Sequence, residues 1–330
     1  MISRRQLIKA GAAGSLLPVA GTSVWAQVPA TGRVSKFVVG FAPGGGTDTI
    51  ARMVAETIKG DYPGGLLVEH KPGASGRIAV ETVKSAPADG LAMLMTPDFA
   101  LTVYPHSFRK LSYDPLKDLV PVATVALAGI ALCAGPGLPD SVKNPAEYIE
   151  WCRANPKLAS FGSPGAGSSF HFAGIMLGRA KGVELTHVGY KGGAPAIQDV
   201  MGGQIPVNIC AVGEAIPFLE TGKLRVLGTF GAQRDRFAPN APTMVESGFK
   251  DVVAEAWIGV LMPARTPPDV VARVMASLNK ATSGDALTER LAKYGMKPLT
   301  MSSAQFDTLL RSDIQRWGPV VKASGFTAED

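Results

Sequence analysis

Long apolar runs are scarce in this 330-residue chain. The run Val120–Cys133 is cut by Gly129 and falls short of the roughly 20 apolar residues that a membrane-spanning helix needs. Cysteine is equally sparse. Three residues, Cys133, Cys152 and Cys210, exclude a disulfide framework and leave one thiol unpaired in any redox state. They read as small buried apolar side chains. The four histidines (His70, His106, His171 and His187) are scattered, so no metal cluster is expected. No G-x-x-x-x-G-K-[ST] loop occurs, and no G-x-S-x-G elbow, H-E-x-x-H helix or C-x-x-C pair. Those absences count against nucleotide hydrolysis, serine and zinc hydrolases and redox exchange. No basic face with interleaved aromatics occurs either, which argues against nucleic acid as a partner.

The first segment is an export signal by its pattern. Arg4, Arg5 and Lys9 precede a stretch of small and apolar residues from Ala10 to Val24, and Val24-Trp25-Ala26 gives a cleavage signature before Gln27. Ser3-Arg4-Arg5-Gln6-Leu7-Ile8-Lys9 also fits the twin-arginine pattern for export of folded proteins. The expected location is therefore the periplasm. The signal holds three of the 33 basic residues and none of the 27 acidic ones, so the mature chain of 330 − 26 = 304 residues carries 30 − 27 = +3, not +6.

Downstream, short apolar runs alternate with helical patterns. Phe37–Phe41, Leu66–His70 and Leu91–Met95 read as strands separated by helices at Thr49–Ile58 and Ile78–Ser85. After Val120–Cys133 the alternation restarts and runs to Leu224–Phe230. Trp257–Met262 is a last strand, followed by helices at Pro268–Ala281, Asp285–Tyr294 and Ser303–Ala323. The class is α/β, with two mainly parallel, helix-flanked sheets. The closing block has too few strands for a sheet of its own and is expected to complete the first. That gives one lobe from residues 33–128 and 236–330, a second from 129–235, and a hinge where the chain crosses twice.

Three glycine-rich turns lie between strand and helix: Phe41-Ala42-Pro43-Gly44-Gly45-Gly46-Thr47-Asp48, Ser163-Pro164-Gly165-Ala166-Gly167-Ser168-Ser169 and Tyr190-Lys191-Gly192-Gly193. Unpaired N–H groups at a helix start make such turns anion sites. In open α/β sheets ligands bind beyond the strand C-termini, where these turns sit. Asp48 is expected to cap the first helix, and Ser168 or Ser169 the helix after the second turn. Gly45 and Gly167 are expected to give close backbone approach or positive φ. His171, in the first helical turn, is expected to be neutral. Lys191 is the only cation in the three turns. An exported, Rossmann-like nicotinamide-dependent oxidoreductase is the competing reading: Gly44 and Gly46 match part of a dinucleotide fingerprint, and Glu69 ends the next strand as a ribose acceptor would. Thr49 replaces its third glycine, and export removes the nicotinamide supply.

The segments FAPGGGTDTIAR, VEHKPGASGRIAVETVKSAPADG, LSYDPLKDLVPVATVA, SPGAGSSFHFAG, VGYKGGAPAIQDVMGGQI and APTMVESGF occur in this order. They resemble the periplasmic solute-binding proteins of tripartite tricarboxylate transporters, the Bug type, over nearly the whole mature chain. The resemblance implies a type II periplasmic-binding fold without catalytic activity or cofactor, acting as a monomer. A small carboxylate, such as a di- or tricarboxylate or an aromatic acid, would be held in the cleft and delivered to membrane permease subunits. It also implies ligand contacts, largely backbone, at Phe41, Ala42, Gly44, Gly45, Gly46, Thr47 and Asp48, with Thr96 and Pro97 on the cleft floor. In the second lobe the matching positions are Ser163, Gly165, Gly167, Ser168, Ser169, His171, Tyr190 and Lys191. Cys210 stands where the family often has an aspartate able to engage a ligand amino group, which leans toward an uncharged carbon skeleton.

Overall fold

The computed structural model describes residues 32–328, and the export-signal segment lies outside them. The chain begins β1 (Ser35–Val39), α1 (Gly46–Ile58), β2 (Leu66–His70), α2 (Arg77–Lys84), β3 (Ala92–Pro97) and two single-turn helices, α3 (Phe99–Thr102) and α4 (Tyr104–Ser107). A 16-residue strand, β4 (Leu119–Ala134), leads to α5 (Pro145–Ala154), β5 (Ser160–Ser163), α6 (Ser169–Arg179), β6 (Thr186–Gly189), α7 (Gly193–Met201), β7 (Val207–Ala211), α8 (Val212–Leu219) and β8 (Arg225–Thr229). Then follow β9 (Glu255–Pro263), α9 (Pro268–Thr282), α10 (Asp285–Ala292), β10 (Met296–Pro298) and α11 (Ser303–Ser324). Helices α3 and α4 and strand β10 are too short to leave a periodic signal in the sequence.

The strands run in the order β2-β1-β3-β9-β4-β7-β5-β6, with β10 and β8 also paired to β4. Pairing is parallel at β2-β1-β3 and at β7-β5-β6, and antiparallel wherever β4 or β9 takes part. The long strand therefore serves both lobes: Leu119–Gly129 pairs with β9 and Ile130–Ala134 with β7. Two register shifts, between Pro121 and Ala123 and between Thr124 and Ala126, bend it.

Because side chains alternate faces along a strand, adjacent residues feed different cores. In the first lobe Val39 and Met95 pack on one face with Ile50 and Leu278, while Val38 and Leu94 pack on the other with Val80 and Phe306. In the second, Leu132 and Ile209 join Tyr148, Phe161, Phe172 and Trp317, while Cys133 and Cys210 join Ile197 and Val212. Met244, Phe249, Val252 and Ala254, in the segment between β8 and β9, share the core of Phe161 and Phe172. Helix α11 starts from a capping box of Ser302 and Gln305 and stops at Gly325, whose φ of 70° ends the helix. Its first half buries Phe306 and Leu310 in the first lobe and its second half Trp317 and Val321 in the second. No helix among the described residues is long and apolar enough to cross a membrane.

Candidate functional site

Parallel pairing fixes where the glycine turns lie. The C-terminal ends of β1, β2 and β3 share one edge, and those of β5, β6 and β7 share another. The turn after β1 starts α1 with Gly45 as N-cap and no side-chain cap. Asp48 is thus not the cap expected from its sequence position. It sits one turn inside, buried, and reaches back to accept the Gly44 N–H at 2.8 Å, Arg52 Nε at 2.9 Å and His70 Nε2 at 2.8 Å. These donors outweigh the burial that would raise its pKa and hold the carboxyl below its usual range. Positive φ falls at Gly44 (84°), while Gly45 is extended at −75°. The shift by one residue follows from Gly45 being the cap, which needs β-region geometry.

The second turn follows the expected pattern more closely. Gly167 has a φ of 77°, and Ser168 caps α6 by accepting the His171 N–H at 3.3 Å. Ser163 Oγ meets His187 Nε2 at 2.7 Å, and the rings of His187 and His171 stack with centroids 3.8 Å apart. His171 Nδ1 accepts the Gly167 N–H at 3.2 Å, so this imidazole carries its proton on Nε2 when neutral. Burial is the main cause that lowers its pKa to about 3, followed by His187; burial also lowers His187 to about 4. His171 is neutral as expected, but through desolvation more than through the helix end. In the third turn the Tyr190 hydroxyl donates to Asp199 at 2.8 Å, and Lys191 is exposed. The turns after β5 and β6 are bonded together by Tyr190 N to Ser163 O at 3.0 Å and Gly192 N to Pro164 O at 2.9 Å.

At all three helix starts the leading N–H groups remain available. Those of Gly46, Thr47 and Asp48, of Ser169 and Phe170, and of Gly193 and Ala194 make no hydrogen bond within the described residues. Ala42–Gly46 are exposed. Thr96 is buried, its hydroxyl 3.4 Å from Pro97 O, and Pro97 is half-buried at the end of β3. Cys210 lies elsewhere: it is fully buried in an apolar cluster, its Sγ 3.7 Å from Cys133 Sγ, and the thiol pKa is raised by that contact and by burial. Glu69 is held by Lys36 at 2.7 Å and Lys71 at 2.9 Å, which occupies the acceptor that the dinucleotide alternative needs.

Several neighbours of the turns had no motif to announce them. Phe41 packs edge-on against Phe99 (centroids 6.0 Å apart), Phe99 against Tyr104 (5.7 Å), and the Tyr104 hydroxyl donates to Ser75 O at 3.0 Å. This chain of rings joins the first-lobe edge to Gly167, whose position Tyr104 and Phe326 flank. Asp98, fully buried after β3, lies 3.5 Å from Ser169 Oγ at the start of α6.

A family model described as the tripartite tricarboxylate transporter family receptor matches residues 50–326. The chain belongs to this receptor family. Protein BugT of Bordetella pertussis is 30% identical over 295 residues, covering 89% of this chain and 90% of BugT. Among solved structures, an R. palustris protein with adipate shares 29% identity at a TM-score of 0.81, covering 89% of this chain and 98% of its own. MatC from Rhodopseudomonas palustris, with bound malate, shares 28% identity at a TM-score of 0.78, covering 88% and 99%. The receptor thus has the periplasmic-binding-protein fold that the motifs implied, and family membership makes it a transport receptor rather than an enzyme.

One buried group in the receptor is set to titrate. Burial, and next the charge of Asp313, push the Asp98 carboxyl up to about 8, against smaller opposing effects of Ser169, Arg316 and the Phe99 backbone. Since the folded value lies above the ordinary value of 3.8, Asp98 contributes stability fully below pH ~4 and loses it as pH rises toward 8. Asp98→Asn removes the titration at similar shape. It should stabilise the receptor by about 1–3 kcal/mol at pH 8, with a smaller gain at pH 5, measured by urea unfolding at both values.

Proposed function

We propose that this receptor is an extracytoplasmic solute-binding protein that captures a small carboxylate between its lobes and delivers it to the permease of a tripartite tricarboxylate transporter. The observation that carries this reading is the set of unbonded N–H groups at the starts of α1 and α6, both at strand C-terminal edges. Backbone N–H groups hold the ligand carboxylates, and Thr96 and Pro97 floor the cleft. Asp48, with its oxygens already occupied, acts by fixing the turn rather than by touching an anion. The solved relatives carrying adipate and malate support a carboxylate as the ligand class.

Lobe one comprises residues 33–128 and those from β9 onward, and lobe two residues 129–254, since the segment before β9 packs in the second-lobe core. The hinge consists of the middle of β4, the entry to β9 and α11. A thermal-shift screen across dicarboxylates, tricarboxylates, aromatic acids and dinucleotides tests the reading. A ligand at 100 times its Kd adds about 2.7 kcal/mol to stability. At least one carboxylate is expected to raise Tm by several degrees; stabilisation by dinucleotides alone would contradict the reading.

A further inference from the structure

Among the described residues Glu214 stands out as a carboxylate near the glycine turns with no ion pair to any lysine or arginine. It lies in the first turn of α8, directly after β7, so it projects from the same strand-end edge as the turns after β5 and β6. Its carboxylate fills the space that a β-carbon on Gly193 would take, against the start of α7. The preceding residue, Gly213, packs on the backbone of Tyr294 and Gly295, which belong to the first lobe. Glu214 is solvent-exposed, yet enough protein surrounds it that desolvation raises its pKa, opposed by the Ala211 N–H. Its neighbours come from the start of α7 and, one residue back, from the first lobe, which sets it between the lobes.

An anion there has two consequences. It sits beside the free N–H groups of Gly193 and Ala194 and partly neutralises that helix end, so a ligand carboxylate is repelled from the third turn and directed to the starts of α1 and α6. It also leaves an uncompensated acceptor facing whatever the ligand presents. We infer that Glu214 is a specificity-determining residue that accepts a hydrogen-bond donor, above all an ammonium group, carried on the skeleton of the carboxylate ligand. This rests on the carboxylate-binding reading above. It reverses the lean drawn from Cys210, which lies in the core and faces no ligand.

Matched pairs of probes separate the possibilities: succinate against 2-aminosuccinate, and adipate against 2-aminoadipate, titrated calorimetrically into the receptor and into Glu214→Gln. The native receptor is expected to bind at least one amino-substituted member 10-fold or more tighter than its unsubstituted partner. Glu214→Gln should cut that preference at least 10-fold while leaving the unsubstituted acid equal or tighter. An unchanged melting temperature of the variant without ligand verifies that it folds, as the exposed position leads one to expect. If carboxylates bind but the amino preference is absent, or is the same in both proteins, the inference about Glu214 is overturned and the carboxylate reading stands. If no probe binds and no carboxylate from the wider screen does, both fall.

Discussion

Gly44→Val and Gly167→Val should each weaken carboxylate binding by roughly 100-fold or more, whereas Lys191→Ala should weaken it only a few-fold. Gly44 and Gly167 have φ of 84° and 77°, a region where a β-branched residue costs about 1–2 kcal/mol in strain. Relief of that strain turns the N–H groups away. At Gly44 it also pulls the loop off Asp48, whose bond to the Gly44 N–H sets the start of α1. At Gly167 the new side chain meets the Phe326 ring at 3.4 Å and displaces the amide from His171. Hydrogen bonds to a charged acceptor contribute about 1.5–3 kcal/mol each, so losing one or two accounts for roughly 100-fold. Lys191 is exposed and water screens it, and an exposed charge pair contributes about 0–1 kcal/mol. Gly45→Val is the informative control. Its φ of −75° suits any residue, and its β-carbon meets only Ala42 O, at 3.4 Å, so the effect should be smaller than at Gly44. Calorimetry on the four variants with one carboxylate measures this ordering.

The largest stability effect is expected at Trp317. Its ring is fully buried in the second-lobe core, 6.3 Å from the Phe172 ring, although it belongs to the C-terminal helix that also anchors the first lobe through Phe306 and Leu310. Trp317→Ala should cost about 3–5 kcal/mol, the range for removing a large buried aromatic side chain. Because Phe172 lies in α6 beside His171, whose ring centroid is 4.7 Å from its own, ligand affinity should fall too. Leu309 is only partly buried, so Leu309→Ala should cost clearly less. Urea unfolding followed by circular dichroism measures both. Separate transitions in Trp317→Ala would show that α11 couples the lobes into one cooperative unit.

Much of the fold was legible because its strands are short apolar runs between glycine turns, and its longer helices keep a 3.6-residue period. Leu66–His70 and Ser303–Ala323 could be placed from pattern alone, to within a residue. The segment 243–254 could not. It shares a core with Phe161 and Phe172 through packing that is long-range and leaves no periodicity, so the lobe boundary expected at 236 differs from that packing. In the site, the three turns were readable because backbone-made sites advertise themselves as glycine. Side-chain roles were less so. Asp48 looked like a cap because nothing local shows that His70, at the end of the next strand, competes for it. Cys210 is buried, as its residue type suggests, although the resemblance set it at a ligand position; strand ends give little warning of which face a residue takes, and a one-residue difference separates core from cleft. Glu214 carries no signal in the sequence, since an isolated glutamate near a helix start is ordinary apart from its neighbours.

The most direct measurement is an equilibrium titration of the receptor with the best carboxylate from the screen, followed by recovery of the small molecule and its mass spectrum. One molecule bound per chain, recovered unchanged after prolonged incubation, is the predicted result. Chemical conversion of the compound, or saturation only with a nicotinamide dinucleotide, would contradict a non-catalytic carboxylate receptor.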